Sequence, residues 1–283
     1  MSDQDRPLLV CFVADLMFST KISSVAAHLD YEVRWIESAD ALPGAAGPTG
    51  EGPGERLEGQ SGALFERITA WQPELLIFDL DNEMIPWRRW IAALKSSPAT
   101  RRLPILAYGA HVNTRALSDA RSAGADAVVA RSRFSSALPE LIRAHAATRD
   151  SAGLAAACDE PVPPLVLEGI TLFNEGHYYK CHDALEEAWR AEEGPVRDLY
   201  RAILQIGIAY FQIEGGNYRG AVKMLLRVRQ WLAPLPAECQ GVDVAGLRED
   251  VSRVYEALTE LGPEQLTGFD TTLFRPVRLS AGR

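Results

Sequence analysis

The sequence predicts an α/β domain followed by an all-α domain: a five-stranded, doubly wound parallel sheet, then a small antiparallel helical bundle. Three observations carry this prediction. Up to residue 147, short apolar runs rich in branched residues alternate with amphipathic stretches. From residue 165 to 262 the strand signal stops and helical periodicity continues. Between them, residues 148–164 hold an Ala-rich patch and then DEPVPP, where proline blocks helix continuation and marks a linker.

The predicted strands are Leu8–Val13, Glu32–Ile36, Leu75–Leu80, Ile105–Tyr108 and Ala127–Ala130. Runs this short and apolar suit strands buried on both faces of a parallel sheet. The helices between them are read as Ser19–Leu29, Gly62–Trp71, Trp87–Ser96, Thr114–Ala123 and Ser135–Ala147. In such a sheet the functional crevice lies at the carboxyl ends of the strands. Residues 43–62 break the pattern with a Gly- and Pro-rich stretch that reads as a disordered surface insertion.

In the second half, helical periodicity covers Pro164–Asn174, His177–Glu193, Pro195–Glu214, Tyr218–Leu232 and Val244–Leu261, with residues 263–283 left as a C-terminal tail. Short connections imply antiparallel neighbours. Pro195 suits a first helical turn, Gly215 or Gly216 a left-handed helix end, and Asn217 the cap of the helix that follows.

Bulk properties narrow the function. The 283 residues suffice for two domains, and 47% hydrophobic against 24% charged residues predicts packed cores. Residues 1–150 carry 16 Lys and Arg against 19 Asp and Glu, and residues 151–283 carry 13 against 19. An acidic balance in both halves argues against nucleic acid, whose phosphates need a basic face. No apolar run reaches the length of a membrane helix, and the N-terminus lacks a signal pattern. Cys11, Cys158, Cys181 and Cys239 are scattered without a CxxC pair, and read as reduced thiols in a cytoplasmic protein.

Residues 7–147 resemble a response-regulator receiver domain. In that family acidic residues after the first strand hold Mg²⁺, an Asp ending the third strand accepts phosphate, and a Thr or Ser and a Lys complete the site. The resemblance puts Asp15 in an acidic, metal-ligating position and Asp79 in the phosphoacceptor and metal position. Three departures argue against ordinary phosphotransfer. Ala14 stands where a second acid belongs, Gly109 replaces the hydroxyl residue, and Arg131-Ser132 replaces Lys-Pro. The expectation is a pseudo-receiver that keeps the fold and uses its surface for docking, with Mg the cofactor the resemblance implies. Asp81 and Glu83, in a longer loop through Pro86, are read as solvated charges before substitute ligands. Phe18 and Met17 are read as packing residues.

Residues 172–226 carry a second resemblance, through LFNEGHYYKCHDALEEAW and the following RDLYRAILQIGIAYFQIEGGNYRGAVKMLL. This string is similar to the bacterial and archaeal domain-of-unknown-function family 309, and implies a helical bundle without an assigned activity. Phe173, Asn174, Gly176, Tyr178, His182, Leu185, Glu186, Trp189, Arg197, Gln205, Gly216, Asn217, Gly220 and Ala221 match. Asp183 and Gln212 depart from the pattern.

By spacing, His182, Glu186 and Trp189 share one helical face, and Arg197, Arg201, Gln205 and Gln212 form a polar stripe on the next helix. Together with Asn217 they form the candidate site of this half. Three readings stay open: a buried hydrogen-bond network that sets helix register, a pocket for a small anion anchored by Arg197 or Arg201, or a metal or acid/base site. One His and one carboxylate are too few for tetrahedral zinc, and the pattern is not HExxH. The function expected is a regulatory or adaptor protein that binds another protein or a small ligand, and self-association into a homodimer is expected by analogy with receiver folds. The alternative is an enzyme built around His182 and Glu186.

Overall fold

Five strands form one parallel sheet: β1 (Leu8–Phe12), β2 (Glu32–Trp35), β3 (Leu75–Asp79), β4 (Ile105–Gly109) and β5 (Ala127–Ala130), in the spatial order β2-β1-β3-β4-β5. The computed structural model describes residues 6–43, 59–147 and 151–280. The chain divides into two units, Met1–Thr148 and Arg149–Arg283.

Every residue of β1, β3 and β4 is buried, whereas the edge strands β2 and β5 are half-buried. That difference explains why the central strands read as unbroken apolar runs: helices cover both of their faces. The helices are α1 (Leu16–His28), α2 (Gly59–Trp71), α3 (Trp87–Ser96), α4 (Thr114–Ser122), α5 (Arg131–Ser136) and α6 (Leu138–His145). One core gathers Val10, Phe12, Leu76, Phe78 and Trp90, and the other gathers Leu9, Cys11, Leu75, Ile77, Tyr108 and Phe134. Alternation along β3 gives Asp79 the parity of Leu75 and Ile77, so it shares the second face.

Local chemistry moves some expected boundaries. Helix α1 starts at Leu16, earlier than expected, because Asp15 caps it: its Oδ1 accepts from the N–H groups of Met17 and Phe18 at 2.9 and 3.2 Å. Phe18 is buried as expected, but Met17 is 67% exposed, so the packing reading fails for Met17. The expected single helix over 135–147 is two helices that meet at Ala137. Helix α2 opens at Gly59, inside the expected disordered insertion of 43–62; the rest of that expectation, at 44–58, lies outside the described residues.

The second unit contains α7 (Ser151–Cys158), α8 (Pro164–Asn174), α9 (Cys181–Ala191), α10 (Arg197–Glu214), α11 (Tyr218–Leu232) and α12 (Val244–Leu261). A hairpin of β6 (Glu238–Cys239) and β7 (Val242–Asp243) precedes α12. Helix α10 is apolar around most of its circumference and runs through the middle of the core. Gly207 lets α9 approach it: a Cβ there would lie 2.8 Å from the Cys181 Sγ and 3.2 Å from the Tyr178 carbonyl oxygen.

Four expectations are corrected here. The segment expected to be linker, 148–164, holds α7. The half expected to lack strands contains the β6–β7 hairpin, whose two-residue turn places Gln240 and Gly241 at φ 50° and 74°. The expected tail, 263–283, packs onto the bundle through its described part, 263–280. Asn174 donates to the Val277 carbonyl at 3.0 Å and accepts from the Val277 N–H at 2.7 Å, so its amide pairs as a strand would. Phe274 stacks on Tyr210 with ring centroids 4.0 Å apart. Finally, Cys158 and Cys239 form a disulfide across 81 residues of sequence, while Cys11 and Cys181 are free and buried. Scatter along the chain hid a pairing that only the folded hairpin creates.

The disulfide is the main anchor of α7. Cys158 is the one buried residue among the described side chains of that helix, and Gln240 supports it by donating from its N–H to the Cys158 carbonyl at 2.7 Å. Eight residues are too few for an isolated helix to persist in water. Reduction, or Cys158→Ser, is expected to abolish hydrogen-exchange protection over 151–158 while β6 and β7 stay protected. Closure of a loop this long predicts a stability loss of about 4 kcal/mol, readable by denaturant titration.

Candidate functional site

At the carboxyl end of β3, the side chain of Asp79 is 3% exposed and faces the guanidinium of Arg131. The Arg131 Nη2 lies 3.4 Å from the Asp79 Oδ1 and 2.9 Å from the Asp81 Oδ2, so one cation bridges two carboxylates. Asp79 Oδ1 also accepts from the Asp81 N–H at 3.0 Å, and Asp81 Oδ2 accepts from the Ala110 N–H at 2.9 Å. Three loops, following β3, β4 and β5, are thereby tied at one point. The Arg131 guanidinium also lies 5.2 Å from the Phe18 ring centroid, and Phe18, Tyr108 and Phe134 form an aromatic cluster beneath it.

Burial raises the Asp79 carboxyl above the usual carboxylate range, against the lowering effects of the Asp81 N–H and the Arg131 charge. Tyr108, the register partner of Asp79 on β4, is pushed up by burial first and by the Asp79 charge second. Its hydroxyl is covered and close enough to Asp79 that a hydrogen bond to that carboxylate also helps hold the phenol proton. Gly109 follows in the place of a hydroxyl residue, and a Cβ there would come within 3.2 Å of the Leu80 Cβ.

These residues do not fit a Mg²⁺ site. Asp15 spends its Oδ1 on the helix cap, Ala14 offers no oxygen from its side chain, and the Arg131 guanidinium occupies the space between the two remaining carboxylates. Among the described residues no group of three or more His, Cys, Asp or Glu side chains could hold a metal ion. The reading of Asp81 as a solvated loop charge is corrected, since it is the closer partner of Arg131; Glu83 is exposed. Asn82 steadies this loop by donating to the Glu37 carbonyl at 3.0 Å and accepting from the Met84 N–H at 3.1 Å. Arg131 was read only as a departure from a family pattern; its charge, set one residue beyond a strand that neighbours β4, was the signal for its role.

In the helical unit, the expected polar network separates into three parts. His182 lies 3.5 Å from Asp183 and 4.0 Å from Glu186, and Glu186 pairs with Arg190 at 2.9 Å. Asp183, Glu186 and Arg190 border a shallow, acid-rich hollow along α9. Trp189 turns instead to α10, where the guanidinium groups of Arg197 and Arg201 sit 5.2 and 4.8 Å from its ring centroid. Arg201 also stands 4.0 Å from the Trp231 ring, and Gln205 accepts from the Trp231 indole N–H at 3.3 Å. Gln212 and Asn217 form the last part: Asn217 donates to Gln212 at 2.6 Å and caps α11 by accepting from the Gly220 N–H at 3.0 Å. His182 and Glu186 thus meet each other as expected, but not the arginine stripe. Sequence reasoning missed Asp250, which is buried and paired with Arg253 at 3.0 Å and Arg278 at 3.3 Å. Its polarity inside an apolar periodic stretch was the available signal.

Comparison with known proteins matches both halves separately. Residues 166–224 match the family model described as a domain of unknown function, DUF309. The solved structures that resemble the chain include response-regulator receiver domains, which cover its N-terminal half. The signal receiver domain of a DNA-binding response regulator protein from Colwellia psychrerythraea is 15% identical, covering 50% of this chain and 97% of that one, with a TM-score of 0.37. The chemotaxis response regulator CheY4 of Vibrio cholerae is 12% identical, over 49% and 98%, with a TM-score of 0.37. The Mn(2+)-bound form of response regulator Rcp1 is 13% identical, over 49% and 90%, with a TM-score of 0.34. No curated protein matches the sequence.

A raised carboxyl pKa binds protons more tightly in the folded state than in the unfolded state. Stability therefore rises as pH falls through the raised value, and ionised Asp79 is a liability at neutral pH. Relative to Asp79→Asn, the wild type should gain stability as the pH is lowered from neutrality into the carboxylate range. Urea denaturation of both proteins across that range checks this, and a difference independent of pH would contradict it.

Proposed function

We propose that the chain is a regulatory or adaptor protein in which the receiver-like half serves as a docking platform and the helical half binds a small ligand or another protein. The observation that carries the reading of the first half is the Arg131 bridge between Asp79 and Asp81. A phosphoryl group on Asp79 would need a metal ion beside it and a hydroxyl to respond to it. Here a guanidinium holds the carboxylates, and glycine stands at the hydroxyl position. The domain therefore keeps one arrangement of its three loops without a bound metal.

That arrangement displays apolar side chains at the same edge of the sheet. Leu16 is 81% exposed, Met84 56% and Val112 75%, and they follow β1, β3 and β4, which are neighbours in the sheet. Apolar groups collected around a fixed polar centre suit a protein contact. An acidic balance in both halves favours a protein or a small ligand over nucleic acid as the partner. No helix among the described residues is long and apolar enough to cross a membrane.

Two measurements test the reading. With Mg²⁺ and beryllofluoride or a small-molecule phosphodonor, the intact protein should gain no phosphoryl mass and its tryptophan fluorescence should not change; modification of Asp79 would overturn the docking-only reading. Arg131→Ala should cost about 2 kcal/mol of stability, because it strands a buried carboxylate while the arginine itself is partly solvated. Adding Asp79→Asn to that variant should recover most of the loss, as a double-mutant cycle would show.

A further inference from the structure

The helical half holds a pair of covered hydrogen-bond donors that the protein itself does not use. The Arg197 Nε and the Trp189 Nε1 are both shielded from solvent and have no hydrogen-bond partner. They belong to one cluster, since the Arg197 guanidinium stands 5.2 Å from the Trp189 ring centroid. A covered N–H without an acceptor costs free energy, and two on touching side chains call for an acceptor that both could share.

Charge points the same way. This half of the chain is acidic, and other arginines in it find carboxylates: Arg190 pairs with Glu186, Arg253 with Asp250, and Arg278 with Asp243 and Asp250. Arg197 has no carboxylate within ion-pair distance among the described residues. A second guanidinium, Arg201, lies one turn along, between the rings of Trp189 and Trp231. Arg197 is also the first residue of an 18-residue helix whose start has no side-chain cap, and the positive end of that helix dipole adds to the field. Asp198 lies in the same first turn and opposes part of that field.

We propose that Arg197 and Trp189 form a binding site for a small oxyanion, the carboxylate or phosphate group of a soluble ligand. One anion oxygen accepts from the Arg197 guanidinium and one from the Trp189 indole N–H, with Arg201 supplying a second positive charge across the Trp189 ring. Both side chains are partly exposed, so rotation of the long Arg197 side chain opens the donors to solvent. This proposal deepens the reading of the helical half as a ligand-binding domain and is independent of the Arg131 bridge.

The test uses the intact protein with ¹⁵N-labelled tryptophan. Its six tryptophans give separate indole N–H signals, and Trp189→Phe assigns the one that matters. Sodium phosphate and sodium acetate are titrated separately, against sodium chloride at matched ionic strength. The Trp189 signal should move downfield and saturate with at least one of the two oxyanions and not with chloride, and the one that acts identifies the source. The Trp231 signal should move little, because its N–H already donates to Gln205. Arg197→Gln should weaken the response about ten-fold or more, the loss of a charge-assisted hydrogen bond. Arg190→Gln, on the exposed side of α9, should leave it unchanged. Unchanged positions of the remaining indole signals establish that each variant is folded; should Arg197→Gln fail that check, Arg197→Lys serves in its place. A Trp189 signal that ignores both oxyanions, that follows chloride equally, or that responds equally without Arg197 overturns the proposal. None of these results bears on whether Asp79 accepts a phosphoryl group, so the two readings fail separately.

Discussion

A carboxylate removed from water at the end of a buried strand must be given a cation, and the first unit is organised around that requirement. The sheet carries Asp79 to a position where only a few per cent of its side chain meets solvent. Desolvation there outweighs every compensating contact, which is why its proton affinity rises. Arg131 is the compensation, and it acts on more than one residue. Because the same guanidinium also takes Asp81, and Asp81 takes the Ala110 N–H, the loops after β3, β4 and β5 are held by one charge. A divalent ion at this point could come and go with conditions, whereas a side chain one residue beyond its own strand stays with the chain. On the proposed reading, this exchange of a free ion for a side chain leaves the loops in one arrangement.

The helical unit answers a different constraint. Helix α10 is apolar around most of its circumference, so neighbours have to close around that part of it. Helices α8, α9 and α11 cover much of it, and the C-terminal segment adds to that cover by stacking Phe274 on Tyr210. That segment has little regular structure with which to satisfy its own backbone, and Asn174 supplies a side-chain amide in place of a neighbouring strand. A polar motif residue at the end of α8 is in this way a structural clamp. Trp189 and Arg197, from the same motif string, behave otherwise: they meet each other and leave two covered donors without acceptors.

Particular elements show how much was legible in the chain. The strands of the sheet were visible because burial on both faces demands uninterrupted apolar runs, and α3 and α11 were visible to the residue because their ends are marked by Pro86 and by Asn217. Asp79 was singled out by the resemblance to a receiver domain, at the end of the third apolar run. Helix α7 was hidden, since an Ala-rich stretch with no apolar face has periodicity only in its length, and its anchor is a cysteine 81 residues away. The tail was hidden for a related reason: Phe274 and Val277 are isolated apolar residues whose partners lie on α10 and α8.

What the sequence determined by itself is therefore whatever local periodicity and residue chemistry encode: two halves of different class, the parallel sheet, the bundle and the helix caps. What tertiary structure alone decided is which charged and polar groups meet. Helical spacing grouped His182 with Glu186 and the arginines with one another, but it could not say that Trp189 would turn away from His182 towards Arg197, or that Arg131 would reach Asp79 across 52 residues of chain. Periodicity assigns a residue to a face; only the packing of two faces, with the desolvation it imposes, selects the partner.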